Sequence, residues 1–343
     1  MKKIIVQGQS ISSEILVGES LLKLAEYIPA ENTFIITDKN VYNLYQSHFP
    51  RMPMHIIEPG EASKSFKVAE DIFRWLLQNN ADRNSFIVGI GGGVVCDLAG
   101  FVASTYMRGV NFGFVSTTLL SQVDASVGGK NGIDIDGYKN IVGTFTQPKF
   151  VICDTAMLST LPITELRCGF AEIVKHTLID DKPMFEMLEA NFHKALSLEK
   201  QVIEELIINS ITIKAKIVSL DEKEAGERRK LNLGHTWGHA IEKITGIPHG
   251  EAVSIGLAFT AWLSEKRGLL KSREKERIIA LLKNLGLPIS SDISRETAVE
   301  VMFRDKKREG DHLYFVMMDG IGKVKLDKIS IEKMRECILK ADH

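Results

Sequence analysis

The 343-residue sequence predicts an α/β protein whose first half is a doubly wound parallel sheet and whose second half is mainly helical. Three observations carry this reading. Short β-branched runs alternate with helical stretches up to about residue 153. From about Asp154 the texture changes to helical periodicity with little β-branched alternation. An apolar strand, Phe86–Ile90, runs directly into Gly91-Gly92-Gly93 and then into a helix. A chain of this length exceeds what one core usually organises, so two domains are expected, residues 1–155 and 156–343.

In chain order, Lys3–Gln7, Thr33–Thr37, Met54–Glu58, Ser85–Ile90, Phe112–Ser116 and Phe150–Cys153 read as strands. Parallel strands joined by crossover helices leave a ligand crevice beyond their carboxyl ends, so residues that follow strands matter most. The second half reads as helices over Glu165–Leu178, Pro183–Ala195, Lys200–Leu220, Gly234–Ile244, Ala252–Leu269, Ser272–Leu285 and Ile331–Ala341. Leu313–Met318 and Lys323–Leu326, joined by Asp319-Gly320-Ile321-Gly322, read as a late hairpin.

Composition narrows the function classes. Hydrophobic residues at 44% and charged residues at 25% are those of a globular chain. The longest greasy stretch, Ala252–Leu263, is flanked by Glu251 and Glu265 and is too short to span a membrane. Met1-Lys2-Lys3-Ile4-Ile5-Val6 reaches Gln7, Gln9 and Ser10 too soon for a signal peptide, so a cytoplasmic location is expected. Cys96, Cys153, Cys168 and Cys337 form no C-x-x-C pair, which argues against a zinc finger or a disulfide framework. A net charge of −1 gives no global pull toward nucleic acid, so anion binding must come from locally placed cations.

The glycine turn has a chemical use. Without Cβ atoms the backbone at Gly91-Gly92-Gly93 can approach a pyrophosphate, and a helix N-terminus supplies amide donors and positive potential. The spacing Gly89-x-Gly91-Gly92-Gly93 departs from G-x-G-x-x-G, so a plain tight turn is the alternative. Asp38 follows a strand and fits either a ribose hydroxyl or a helix cap. In the second half, His235 and His239 stand four residues apart on a helix, within chelating reach, with His249 a short loop further on. Glu172 lies among apolar neighbours, where a buried carboxylate needs a cation. Spacing alone leaves open whether both His235 and His239 are ligands or one hydrogen-bonds inside the helical lobe. Arg108 in Met107-Arg108-Gly109, Lys130 in Gly128-Gly129-Lys130-Asn131, and Lys139 with Asn140 in Gly137-Tyr138-Lys139-Asn140 sit among glycines and polar turn residues, and Lys175, Lys214, Arg228, Asn232 and Lys306 fall in or beside the helical half. Cations clustered with glycine loops suit phosphate and carboxylate.

The stretch Met107-Arg108-Gly109-Val110, followed by Ser116-Thr117-Thr118-Leu119-Leu120-Ser121-Gln122-Val123-Asp124-Ala125-Ser126-Val127-Gly128-Gly129-Lys130, closely resembles the 3-dehydroquinate synthase family. Glu172 with Lys175, the segment Leu231–Ala240, and His249-Gly250-Glu251-Ala252-Val253 resemble the same family in the same order. Ser116 stands where the family usually has proline, Cys96 where glycine is common and Asn131 where threonine is frequent; none of these removes a donor or ligand.

The resemblance implies an N-terminal Rossmann-like NAD domain, an all-α C-terminal domain for metal and substrate, an active site between them, and a homodimer. It implies zinc or cobalt held by Glu172, His235 and His249, with His239 facing the substrate. NAD contacts would come from Asp38, Asn40, Glu61 and Lys64, from Gly92, Gly93 and Asp97, from Thr117, Thr118, Lys130 and Lys139, and from Met157, Leu158, Ser159 and Thr160. Contacts to the substrate, 3-deoxy-D-arabino-heptulosonate 7-phosphate, would come from Arg108, Asp124, Lys130 and Asn140, from Lys175 and Lys214, from Glu224, Arg228, Asn232 and His239, and from Lys306 or its neighbour Lys307. Asn232 sits where relatives that make valiolones tend to differ. The family chemistry is transient oxidation by NAD, phosphate elimination, re-reduction, ring opening and an aldol closure, which explains why nicotinamide, metal and cations occur together. A polyol dehydrogenase of the glycerol dehydrogenase type and a catalytically dead scaffold are the competing readings.

Overall fold

A computed structural model describes residues 1–8, 11–306 and 312–339, with 304–306 described by backbone alone. The chain divides into two compact units: Met1–Pro162 with Ile203–Lys223, and Ile163–Val202 with Glu224–His343. A single cut near residue 155 does not describe this, because Ile203–Lys223 groups with the first unit.

The first unit contains β1 (Lys2–Gln7), β2 (Ser12–Val17), β3 (Thr33–Asp38), α1 (Lys39–Tyr45), β4 (Met54–Ile57), α2 (Phe66–Gln78), β5 (Phe86–Gly91), α3 (Gly93–Thr105), β6 (Asn111–Ser116), β7 (Lys130–Ile135), β8 (Tyr138–Phe145) and β9 (Phe150–Cys153). Seven strands form one sheet in the order β1-β2-β9-β6-β5-β3-β4. All neighbours are parallel except the β1–β2 pair. Every residue of β3, β5 and β9 is buried, which is why these strands read as unbroken apolar runs rather than as alternation. Ile35, Val88, Ile90, Val115 and Ile152 form the centre of this core. β3 pairs with β4 on one side and β5 on the other, so the chain reverses its direction of winding there and opens a crevice at the carboxyl ends of those strands. α2 buries Ala69, Ile72 and Leu76 on one stripe and starts at a Ser65 cap whose side chain accepts from the Val68 amide. β7 and β8 form a separate antiparallel hairpin, turned by Asp136 (φ 50°) and Gly137 (φ 77°).

Among its described residues the second unit is helical apart from one hairpin. It holds α4 (Ile163–Asp180), α5 (Lys182–Leu196), the start of α6 (Lys200–Leu220), α7 (His235–Thr245), α8 (His249–Lys266), α9 (Ser272–Asn284), α10 (Arg295–Lys306), β10 (His312–Met318), β11 (Val324–Ser330) and α11 (Ile331–Leu339). Trp237, Ile241, Ile255, Met302, Phe315 and Ile338 share its core. α7 and α8 approach closely because of Gly256, whose missing Cβ would fall on the carbonyl oxygen of Gly234. Among the described residues no helix is long and apolar enough to cross a membrane.

Four elements lie outside the sequence reading. β2 was not expected, nor was the β7–β8 hairpin, although Asp136-Gly137 is a hairpin turn by composition. α10 was also missed; its Ser294 side chain accepts from the Thr297 amide at 3.2 Å, and Ala298, Val299, Met302 and Phe303 give it a buried stripe.

Candidate metal centre and strand-end crevice

Glu172, on α4, is completely buried and its carboxylate is divided between two sets of neighbours. Oε2 pairs with the ammonium of Lys175 one turn later on the same helix. Oε1 lies 3.5 Å from His235 Nε2 and 3.4 Å from His249 Nε2. His235 and His249 are the first residues of α7 and α8, so the contact enforced by Gly256 sets their separation. The structure thus brings together Glu172, His235 and His249, donor atoms within 4.8 Å of one another. Tetrahedral zinc with bonds of ~2.0–2.1 Å puts its ligand atoms roughly 3.3–3.4 Å apart, so the set fits a divalent ion of that size with a coordination position left for another ligand.

The outer nitrogens of the two rings are also held. His235 Nδ1 lies 3.1 Å from the Leu233 carbonyl, which can only accept, so the proton sits on Nδ1 and the Nε2 lone pair faces Glu172. Burial first, and Lys175 next, push His235 down to about 3, which keeps the ring neutral. His249 Nδ1 lies 3.3 Å from Glu242 Oε2. Burial pulls His249 down, but hydrogen bonds with Glu172 and Glu242 outweigh it and hold the ring at about 9. A cation bound by His249 therefore displaces a proton held between two carboxylates. His239 is exposed on α7; its ring centroid is 5.1 Å from that of His235 and 5.8 Å from that of His249, and it groups with Glu242 and His249 rather than with Glu172. Glu242, buried on α7, belongs to the centre and was not singled out from the sequence, although it lies seven residues before His249 with an apolar neighbour on its N-terminal side.

In the first unit the other candidates collect where strands end. Asp38 ends β3 and caps α1, its Oδ1 accepting from the Asn40 amide at 2.8 Å and the Val41 amide at 3.0 Å. Gly92 precedes α3 without any side-chain cap, so the first-turn amides of α3 face the crevice as donors. A Cβ at Gly92 would stand 2.9 Å from Thr118 Cγ2, so glycine here lets two strand-end turns meet. The Thr117 amide donates to Gly91 O at 3.0 Å, tying the turn after β6 to the glycine turn. After β9, Asp154 starts the Thr155–Thr160 3-10 turn, and Tyr45 OH reaches Thr160 Oγ1 at 2.6 Å. This turn carries Met157, Leu158, Ser159 and Thr160. Glu61 and Lys64 follow β4; the buried Lys64 ammonium is 2.9 Å from Asp97 Oδ2 on α3 and 3.4 Å from Glu61 Oε1, and Lys139 Nζ is 3.7 Å from Glu61. Burial pushes the Asp97 carboxyl up, against the opposing pull of Lys64.

The remaining cations and their partners fall on both units. In the first, Lys214 of α6 donates to the Asp124 carboxylate and to its carbonyl at 2.6 Å. Asp124 lies in a π-helical turn, Ser121–Ala125, a conformation frequent at functional sites. Arg108 has φ 69° between Met107 at 49° and Gly109 at 111°. Lys130 opens β7 and Asn140 lies on β8 with φ 53°. In the second, Arg228 is buried at 2% exposure, and Asn232 Nδ2 donates to Glu224 Oε1 at 2.5 Å from a Glu224 backbone at φ 62°. Left-handed backbone at three non-glycine candidates, Arg108, Asn140 and Glu224, is the kind of strain that surroundings must hold in place. Lys306 ends α10 with its side chain outside the described residues, and Lys307 lies outside them altogether.

A doubly wound sheet with an uncapped glycine-turn helix, beside a helical unit carrying a Glu-His-His cluster, is a fold this chain shares with solved sugar phosphate cyclases. A 2-epi-5-epi-valiolone synthase from Streptomyces hygroscopicus, solved with NAD+ and Zn2+, superimposes with a TM-score of 0.89 at 23% identity, covering 97% of this chain and 98% of that one. A 2-deoxy-scyllo-inosose synthase complexed with carbaglucose-6-phosphate, NAD+ and Co2+ superimposes with a TM-score of 0.86 at 26% identity, covering 99% of this chain and 100% of that one. The chain belongs to the 3-dehydroquinate synthase family: the family's N-terminal model matches residues 54–168 and its C-terminal model residues 169–308. A 3-dehydroquinate synthase from Thermoanaerobacter pseudethanolicus is 42% identical over 333 residues, covering 92% of this chain and 93% of the relative.

Proposed function

We infer that the chain converts 3-deoxy-D-arabino-heptulosonate 7-phosphate to 3-dehydroquinate and phosphate, as a carbon–oxygen lyase using NAD and a zinc or cobalt ion. The observation that carries this reading is the family match across both units, and the convergence of Glu172, His235 and His249 supports it independently. When bound, NAD supplies a reversible hydride acceptor and the divalent ion a Lewis acid for the substrate's hydroxyl groups.

The chain's own residues would bind and hold charge around these groups. Glu172, His235 and His249 are assigned the metal, and Lys175 pairs with Glu172 through Oε2. The uncapped start of α3 takes the pyrophosphate, with Asp38 and the turns after β6 and β9 flanking it. Lys130, Asn140, Arg228 and His239 are assigned the phosphate end of the substrate, and Lys130, Lys214 and Arg228 the neutralisation of its charge. Arg108, Asp124, Glu224, Asn232 and Lys306 complete the assigned substrate contacts. A homodimer and a cytoplasmic location belong to the same proposal. The test supplies the heptulosonate phosphate with a catalytic amount of NAD+ and one divalent ion per chain: dehydroquinate and phosphate formed one to one support the reading, and absence of phosphate release overturns it.

A further inference from the structure

The β7–β8 hairpin carries Lys130 and Asn140 yet shares no ladder with the seven-stranded sheet. Its inner geometry is irregular at one place. Ile133 pairs with Val142 and Ile135 with Tyr138, so the single residue Asp134 stands opposite three residues of β8. A bulge of this kind re-aims side chains and leaves amides that the ladder cannot reach. Asn140 is one of the three residues, and its φ of 53° lies in the left-handed region, which asparagine enters more readily than most non-glycine residues. Its amide donates to Asp134 Oδ1 at 2.7 Å.

Asp134 is anchored in turn to the segment after β4. Its own amide donates to the Lys64 carbonyl at 2.8 Å, beside a parallel bridge between Ser65 and Asp134. The Lys64 ammonium, 4% exposed, lies 3.9 Å from Asp134 Oδ1 and 2.9 Å from Asp97 Oδ2. A continuous path therefore runs from α3, at the glycine turn, through Lys64 to Asp134 and on to the Asn140 backbone.

We propose that Asp134 is a positioning residue for the reaction: it holds Asn140 in its left-handed conformation and ties the substrate-facing part of the hairpin to the turn bearing Lys64. This rests on the assignment of Asn140 to the substrate. Asp134 touches no reacting group itself, and its effect is exerted through Asn140.

The test is a double-mutant cycle on the holoenzyme, with Asp134→Ala, Asn140→Ala, both together, and Asp134→Asn as the conservative variant. Asp134→Ala should lower kcat/KM for the heptulosonate phosphate by about tenfold or more while NAD+ affinity stays within roughly threefold. Asp134→Asn, whose side-chain oxygen can still accept from the Asn140 amide, should recover most of that loss. In the Asn140→Ala background Asp134→Ala should cost less than about twofold further, since the residue it positions is gone. Effects that multiply in full, or an alanine variant equal to wild type, would overturn the proposal. Amide hydrogen exchange at Asn140 supplies a readout that does not depend on the assigned reaction: it should accelerate in Asp134→Ala and stay slow in Asp134→Asn. Asp134→Ser, too short to span to the amide, gives the same readout should the alanine variant fold poorly. Wild-type enzyme inert toward the substrate would refute the functional reading, whereas unchanged exchange at Asn140 in the truncated variants would refute the positioning role.

Discussion

The two candidate sites are made from different materials. The strand-end crevice of the first unit is mostly backbone: a glycine turn, the uncapped first turn of α3 and the turns that follow β3, β6 and β9. The metal centre of the second unit is three side-chain atoms brought in by the middle of one helix and the first residues of two others. A backbone-built site spreads its binding over many amides, each replaceable at modest cost. A side-chain site concentrates function in a few atoms and fails when one is removed.

Variants that separate the two should behave accordingly. The largest effect is expected from His235→Ala, which removes one of three donors. It should abolish metal retention, measured as metal per chain after dialysis, while NAD+ affinity changes little; unchanged metal content would refute the ligand assignment. Next comes Glu242→Gln, which replaces the carboxylate partner of His249 Nδ1 by an amide. Outer partners of metal ligands typically cost about 10–100-fold in affinity, and equilibrium dialysis with cobalt should show a loss in that range. An unaltered cobalt affinity would confine Glu242 to packing. The smallest is Gly92→Ala, where the new Cβ would meet Thr118 Cγ2 at 2.9 Å and crowd the approach to the α3 amides. NAD+ binding, read by fluorescence titration, should weaken about tenfold, or ~1.4 kcal/mol, with metal content unchanged. Complete loss of NAD+ binding would mean that the crevice is as concentrated as the metal centre.

The same difference governs what could be read in the sequence. α6 appears with the bounds its periodicity predicts, Lys200–Leu220, and the buried strands β3, β5 and β9 stand where continuous apolar runs place them. Local patterns suffice when the period is long or the run is fully buried. β2 begins with Ser12 and Ser13 and so lacked an apolar opening. α10 is crowded with charge at Arg295, Glu296, Glu300 and Arg304, which masks the stripe of Ala298, Val299, Met302 and Phe303. At the metal centre, spacing puts His235 and His239 on one helix face and cannot separate them. What separates them is Glu172, more than sixty residues earlier, and the start of α8, both set by tertiary packing. Glu242 was illegible for the same reason: it matters because of where His249 arrives.

A cyclase and a polyol dehydrogenase could both use a nicotinamide crevice and a metal centre of this kind, and they differ in what becomes of the hydride. The decisive measurement is the ratio of NADH accumulated to phosphate released during turnover of the heptulosonate phosphate. A ratio near zero, with each NAD+ serving many cycles, is the result predicted here. Accumulation of NADH in proportion to substrate consumed would contradict it.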